Sequence, residues 1–107
     1  MPHYMFQFTY TPEAWATLSK NPQDRTEAIR GLVEKQGGRL IAFYYCFGEY
    51  DGVIVLEAPN AIAAAAGSVA GVSAGHLKVN RTTVLLTAEE TVEAMRKAGE
   101  TNFQRPT

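Results

Sequence analysis

The segment Arg39–Ala58, RLIAFYYCFGEYDGVIVLEA, decides how this chain folds. Two runs dense in β-branched and aromatic residues, Arg39–Gly48 and Asp51–Ala58, flank a short polar turn. The gap between them is too short for a crossover helix, so they form an antiparallel hairpin. A two-residue turn at Glu49-Tyr50 would pair Gly48 with Asp51, Cys46 with Val53, Tyr44 with Val55 and Phe43 with Leu56.

Upstream, HYMFQFTY (His3–Tyr10) alternates Tyr4, Phe6, Phe8 and Tyr10 with His3, Met5, Gln7 and Thr9, the period of a strand. Thr11 can cap a helix and Pro12 suits its first turn. Trp15 and Leu18 share one face, and Trp15 is expected to anchor the core or an interface. Asn21-Pro22 is expected to restart the helix. Ile29, Leu32 and Val33 form its apolar stripe and Gly37-Gly38 stops it. Downstream, Pro59-Asn60 opens a second helix that ends near Gly75 and is built almost wholly of small residues. Such side chains either let a helix sit close to its neighbours or leave room for a ligand, and close packing is expected. LKVNRTTVLLT is a fourth strand. Thr87 and Glu90 have capping-box spacing, which predicts a helix through about Ala98.

The order β-α-β-β-α-β with right-handed crossovers defines an α+β, ferredoxin-like fold. The antiparallel sheet should run 4-1-3-2, with the main helices on one face and an extra C-terminal helix. Residues 1–98 read as a single domain and 99–107 as a flexible tail. The hairpin pairing sorts side chains by face. Ile41, Phe43, Tyr45, Phe47, Ile54 and Leu56 form the bulkier set and are assigned to the core with Phe6 and Phe8. Leu40, Tyr44, Cys46, Asp51, Val53 and Val55 fall on the open face with Met5, Gln7 and Thr9. That face is too apolar to be solvated, and burying Tyr44, Val53, Val55 and Met5 contributes on the order of 1.5–3 kcal/mol each. The simplest cover is a second copy of the sheet about a two-fold axis, as in a dimeric α/β barrel. A homodimer, or a larger oligomer of dimers, is therefore expected.

The 107 residues suit one domain, and 46% hydrophobic with 20% charged residues is a globular composition. A net charge of −1 gives no basic field for nucleic acid or anionic membrane. Strand 3, DGVIVLEA, lacks the stacking aromatics that an RNA-binding sheet needs. Ala61–Gly75 is too short and weakly apolar to span a bilayer. One cysteine, Cys46, forms no internal disulfide, and without a signal peptide the expected compartment is the cytoplasm.

The segments MPHYMFQFTYTPEAW, AFYYCFGEYDGVIV and RTTVLLTAEE together resemble the GYD-domain family of small bacterial proteins. The resemblance covers nearly all of the chain up to the last helix and includes the Gly-x-Tyr-Asp turn at Gly48, Tyr50 and Asp51. It implies the fold and a bacterial cytoplasmic setting, and assigns no reaction to any residue. Within it, Cys46 and Gly52 look like local variations.

Asp51 has two readings. It can lock the hairpin by accepting backbone N–H bonds, or serve as a general base at the mouth of a cavity, with Tyr44 or Tyr50 donating to an oxyanion. Gln7, Tyr44, Cys46, Tyr50 and Asp51 are the candidate polar contacts for a small apolar or aromatic ligand between two sheets. A cofactor-independent isomerase using Asp51 is the alternative, as is one using Pro2 as a free amine after loss of Met1. A purely structural oligomerisation domain is another. Cys46 and His76 are not expected to meet within one chain, because His76 sits on the edge strand. No Cys/His spacing resembles a metal site, and no cofactor is called for.

Overall fold

The computed structural model describes residues 1–107, with the elements β1 (His3–Tyr10), α1 (Pro12–Lys20), α2 (Thr26–Lys35), β2 (Arg39–Tyr45), β3 (Gly52–Glu57), α3 (Ala61–Ser73), β4 (Leu77–Leu85) and α4 (Ala88–Glu100). The four strands make one antiparallel sheet in the order β2-β3-β1-β4, the expected 4-1-3-2. The helix-covered face holds the core: Tyr4, Phe6, Phe8 and Tyr10 of β1, Ile54 and Leu56 of β3, with Val33 and Ala64 from the helices. Trp15, Leu18 and Ile29 pack against this set. No helix is long and apolar enough to cross a membrane.

Local chemistry sets most element ends. The Thr11 hydroxyl accepts from Ala14 N–H, and the Asn60 side chain from Ala63 N–H. Thr87 and Glu90 close the capping box in both directions. Gly37 and Gly75 take positive φ just past α2 and α3, where a side chain would be strained. The Asn21-Pro22 restart does not occur. Asn21 ends α1, donating its N–H to the Thr17 carbonyl, and α2 begins at Thr26, whose N–H is held by Asp24 Oδ1.

The hairpin differs from the two-residue turn. Tyr45 pairs with Gly52, Tyr44 with Val53 and Phe43 with Ile54, a register two residues tighter on β3. Cys46 N–H still bonds the Asp51 carbonyl, so Phe47–Tyr50 form a four-residue loop. An even shift keeps the faces of Tyr44, Val53 and Val55 unchanged. It strands Phe47 in the loop at 94% exposure, so Phe47 is not a core residue. An irregularity between Leu40 and Ala42 then breaks the alternation. Leu40 pairs with Leu56 and packs on the core, while Ile41 is 41% exposed, the reverse of the assignment made from strict period two.

The chain is elongated, 58 × 33 × 22 Å, with a radius of gyration of 17.2 Å. A compact domain of this size has about 13 Å. α4 buries no residue and makes no extensive contact with any other element, and residues 101–107 beyond it are exposed. Val92 and Met95 on it are exposed.

Candidate functional site

Cross-strand pairing places the candidate residues. On the open face Met5 lies between Val55 and Thr83, and Gln7 between Val53 and Arg81. Val53 in turn faces Tyr44, whose side chain is 71% exposed. Gln7 and Tyr44 therefore flank Val53 on one surface. Tyr50 stands close enough to Arg81 to hold the Arg81 guanidinium above its ordinary pKa. The Cys46 thiol donates to the Tyr50 carbonyl at 3.1 Å, which fixes the loop. Five of the face's side chains, Met5, Val53, Val55, Val79 and Tyr44, are apolar or largely so; Tyr44 and Val79 are exposed and the other three half-buried.

Asp51 is placed differently. Its Oδ2 accepts from the backbone N–H of Tyr10 at 2.9 Å and from the Trp15 indole Nε1 at 3.1 Å. Its own N–H donates to the Phe8 carbonyl at 2.8 Å. Trp15 lies on α1 and stacks edge-on to Tyr10, 5.1 Å between ring centroids. The carboxylate thus turns toward the helix-covered side, away from Gln7 and Tyr44, contrary to its expected place on the open face. The physical reason is that a polar lock at a strand end is drawn to the nearest unpaired donors, and these are Tyr10 N–H and the indole.

Around this lock the structure gathers rings that the sequence reading took separately. Tyr10 Oη and Tyr45 Oη share a hydrogen bond at 3.0 Å. Burial first, then that bond, pushes the Tyr10 phenol well above its usual pKa. His76 also lies beside Tyr10, 6.0 Å between ring centroids, and burial followed by the nearby Arg25 charge lowers its pKa. The signal for the Tyr10–Tyr45 pair was present in the alternation of the two strands. The Trp15–Asp51 bond was not, because it joins a helix to a loop 36 residues away.

Gly52 also has a packing role. A Cβ at that position would overlap the Phe8 ring, which is 2% exposed. The glycine after Asp51 lets the buried ring cross β3.

At the opposite end of the sheet, Arg39 makes two bonds to the Glu57 carboxylate, both 3.1 Å, and His3 Nε2 approaches the same carboxylate at 3.3 Å. The bond from Arg39 holds Glu57 below the usual carboxylate range. Pro2 accepts from Ala58 N–H through its carbonyl, and its nitrogen is in peptide linkage to Met1. No three His, Cys, Asp or Glu side chains converge on a point that would hold a metal.

The fold and this site define a class: a split βαβ α+β domain with one sheet face left uncovered and apolar. Residues 4–95 match the model of the GYD domain. The chain belongs to the GYD domain family. It is also 35% identical over 78 residues to a protein of Thermus thermophilus named glutamine synthetase and cystathionine beta-lyase binding protein. That alignment takes in 73% of this chain and 82% of the relative.

Proposed function

We propose that this chain is a protein-binding module that pairs with a second copy of itself through the open sheet face and engages a partner enzyme. The observation that carries the reading is the apolar surface of Met5, Val53 and Val55 on the two central strands, bordered by the exposed Tyr44 on the edge strand β2. Four strands about 4.8 Å apart and seven or so residues long give a face of roughly 450 Å². A stable interface takes roughly 800 Å² from each partner. The projecting α4, with Val92 and Met95 exposed, supplies the remainder by reaching over the second copy. The Thermus relative is named for binding two enzymes, and the same kind of partner suits this chain. The unit acts in the cytoplasm, where Cys46 stays a thiol.

The polar side chains on the open face favour a second reading. Gln7, Tyr44 and Arg81 border the apolar patch, so a small, partly apolar molecule fits between two such sheets. Catalysis by Asp51 is the weaker reading, since its Oδ2 already holds two donors.

Light scattering tests the pairing. The wild type is expected at twice 11.7 kDa, and Val55→Glu at the monomer mass. A wild-type monomer at micromolar concentration removes the homodimer. Surface plasmon resonance against purified glutamine synthetase and cystathionine beta-lyase tests the partner, and no affinity for either removes it. Native mass spectrometry of the dimer reports whether a small molecule is retained.

A further inference from the structure

The uncovered face is not the only place where the molecule leaves apolar surface unfilled. On the opposite side of the sheet a cleft of about 80 Å³ runs between α2 and α3. Phe6, Phe8 and Tyr10 form its floor, Ile29 and Val33 one wall, and Ala63, Ala64 and Gly67 the other. It exists because α3 is built of small residues. Where α3 meets β4 it sits close, and a Cβ on Gly71 would stand 3.3 Å from Leu77. Where it faces α2 there is no side chain long enough to close the gap, and the expected close packing fails there. Space of that volume is several times what one water requires, and a lining this apolar favours a ligand with an apolar body.

Polar side chains also line the cleft: Arg25, His76 and Asn80, with Gln36 and with Glu57, whose carboxylate is already bonded by Arg39. Arg25 lines one end together with His76 and Tyr10. Its guanidinium bonds the Gln23 side chain at 3.2 Å and pairs with no carboxylate. A half-buried cation without a counter-ion, beside an apolar groove, fits a carboxylate. Farther along, Asn80 donates its Nδ2 to Ser68 Oγ at 2.8 Å, while its Oδ1 is buried with no donor. A buried amide oxygen left unpaired costs free energy that a ligand donor would recover. Asn80 pairs with Phe8 and Leu77 with Tyr10, so Asn80 and Tyr10 stand two β1 residues apart in register, about 6.8 Å of strand.

We propose that the α2–α3 cleft binds a short-chain carboxylic acid bearing one hydroxyl or N–H donor, its acid held at Arg25 and its donor at Asn80 Oδ1. Arg25 and Asn80 enter the lining from different elements, which suits a chain whose acid and donor stand at opposite ends. The site is separate from the open face, with the whole sheet between them.

The probe is 5-hydroxypentanoate, titrated into the wild-type protein and followed by amide chemical shifts and calorimetry. Saturable shifts are expected at Ile29, Val33, Ala64, Gly67 and Asn80. Pentanoate, lacking the donor, and pentane-1,5-diol, lacking the acid, are each expected to bind about tenfold more weakly. Arg25→Gln, at a half-buried helix start, is expected to weaken the hydroxy acid about tenfold but leave the diol unchanged. Gly67→Leu fills the cleft and is expected to abolish binding with the circular dichroism spectrum retained. No saturable binding at millimolar 5-hydroxypentanoate overturns the proposal. So do shifts centred on Met5, Val53 and Val55, or affinity indifferent to Arg25→Gln.

Discussion

Asp51→Ala separates a structural lock from a catalytic group. In the wild type one carboxylate oxygen closes two donors, Tyr10 N–H at 2.9 Å and Trp15 Nε1 at 3.1 Å. Hydrogen bonds to a charged acceptor contribute about 1.5–3 kcal/mol each, and a donor left unpaired in a buried site costs about 1–3 kcal/mol. The two bonds share one oxygen and the site is part-buried, so their sum is discounted to about 2–4 kcal/mol. For a domain of this size that lowers Tm by roughly 10–25 °C. Urea unfolding read by the single Trp15 gives the number, at one fixed protein concentration because self-association would shift it. Trp15→Phe keeps the edge-on packing against Tyr10 but removes Nε1–H, at an expected cost of about 1–2 kcal/mol. The double variant should show a coupling of about 1 kcal/mol or more. An Asp51→Ala midpoint within about 0.5 kcal/mol of the wild type, or strictly additive losses, would refute the lock.

Gly52→Ala is expected to destabilise by at least about 1–3 kcal/mol, because the new methyl overlaps the buried Phe8 ring; Phe8→Leu in the same chain should restore part of the loss in the same urea assay. Tyr10 stays protonated in the fold beyond the pH at which it ionises when unfolded. The unfolded chain therefore binds fewer protons above about pH 10, and stability falls as pH rises past that point. Tyr10→Phe should flatten this alkaline limb in pH-dependent melting. His76 has the opposite sense: its pKa is lowered in the fold, so stability is lost as pH falls from about 6.5 toward the lowered value, and His76→Gln should remove that part of the acid limb. Truncation after Thr87 is expected to leave the melting of the βαββαβ unit nearly unchanged, since α4 buries no residue, yet to weaken dimerisation in sedimentation equilibrium.

The alternation of Tyr4, Phe6, Phe8 and Tyr10, the capping box at Thr87 and Glu90, and the short link between β2 and β3 were enough to set element order, strand order and helix-covered face. These are local or nearest-neighbour properties, and a chain states them in its own periodicity. The even register shift left Tyr44, Val53 and Val55 on the face read for them. Tertiary contacts decided the rest. The irregularity at Leu40–Ala42 exchanged Leu40 and Ile41, because period two holds only while every residue stays in the ladder. Asp51 left the open face for Tyr10 N–H and Trp15, since the pull of two unpaired donors is set by where α1 packs and not by strand parity. The alanine-rich α3 closes on β4 yet stands off α2, and that gap is a distance between elements far apart in the chain. Sequence by itself determined which elements form and which side of the sheet they cover. Only the tertiary structure decided where polar groups end up and where space remains, because both depend on pairs of surfaces that meet after the chain has folded.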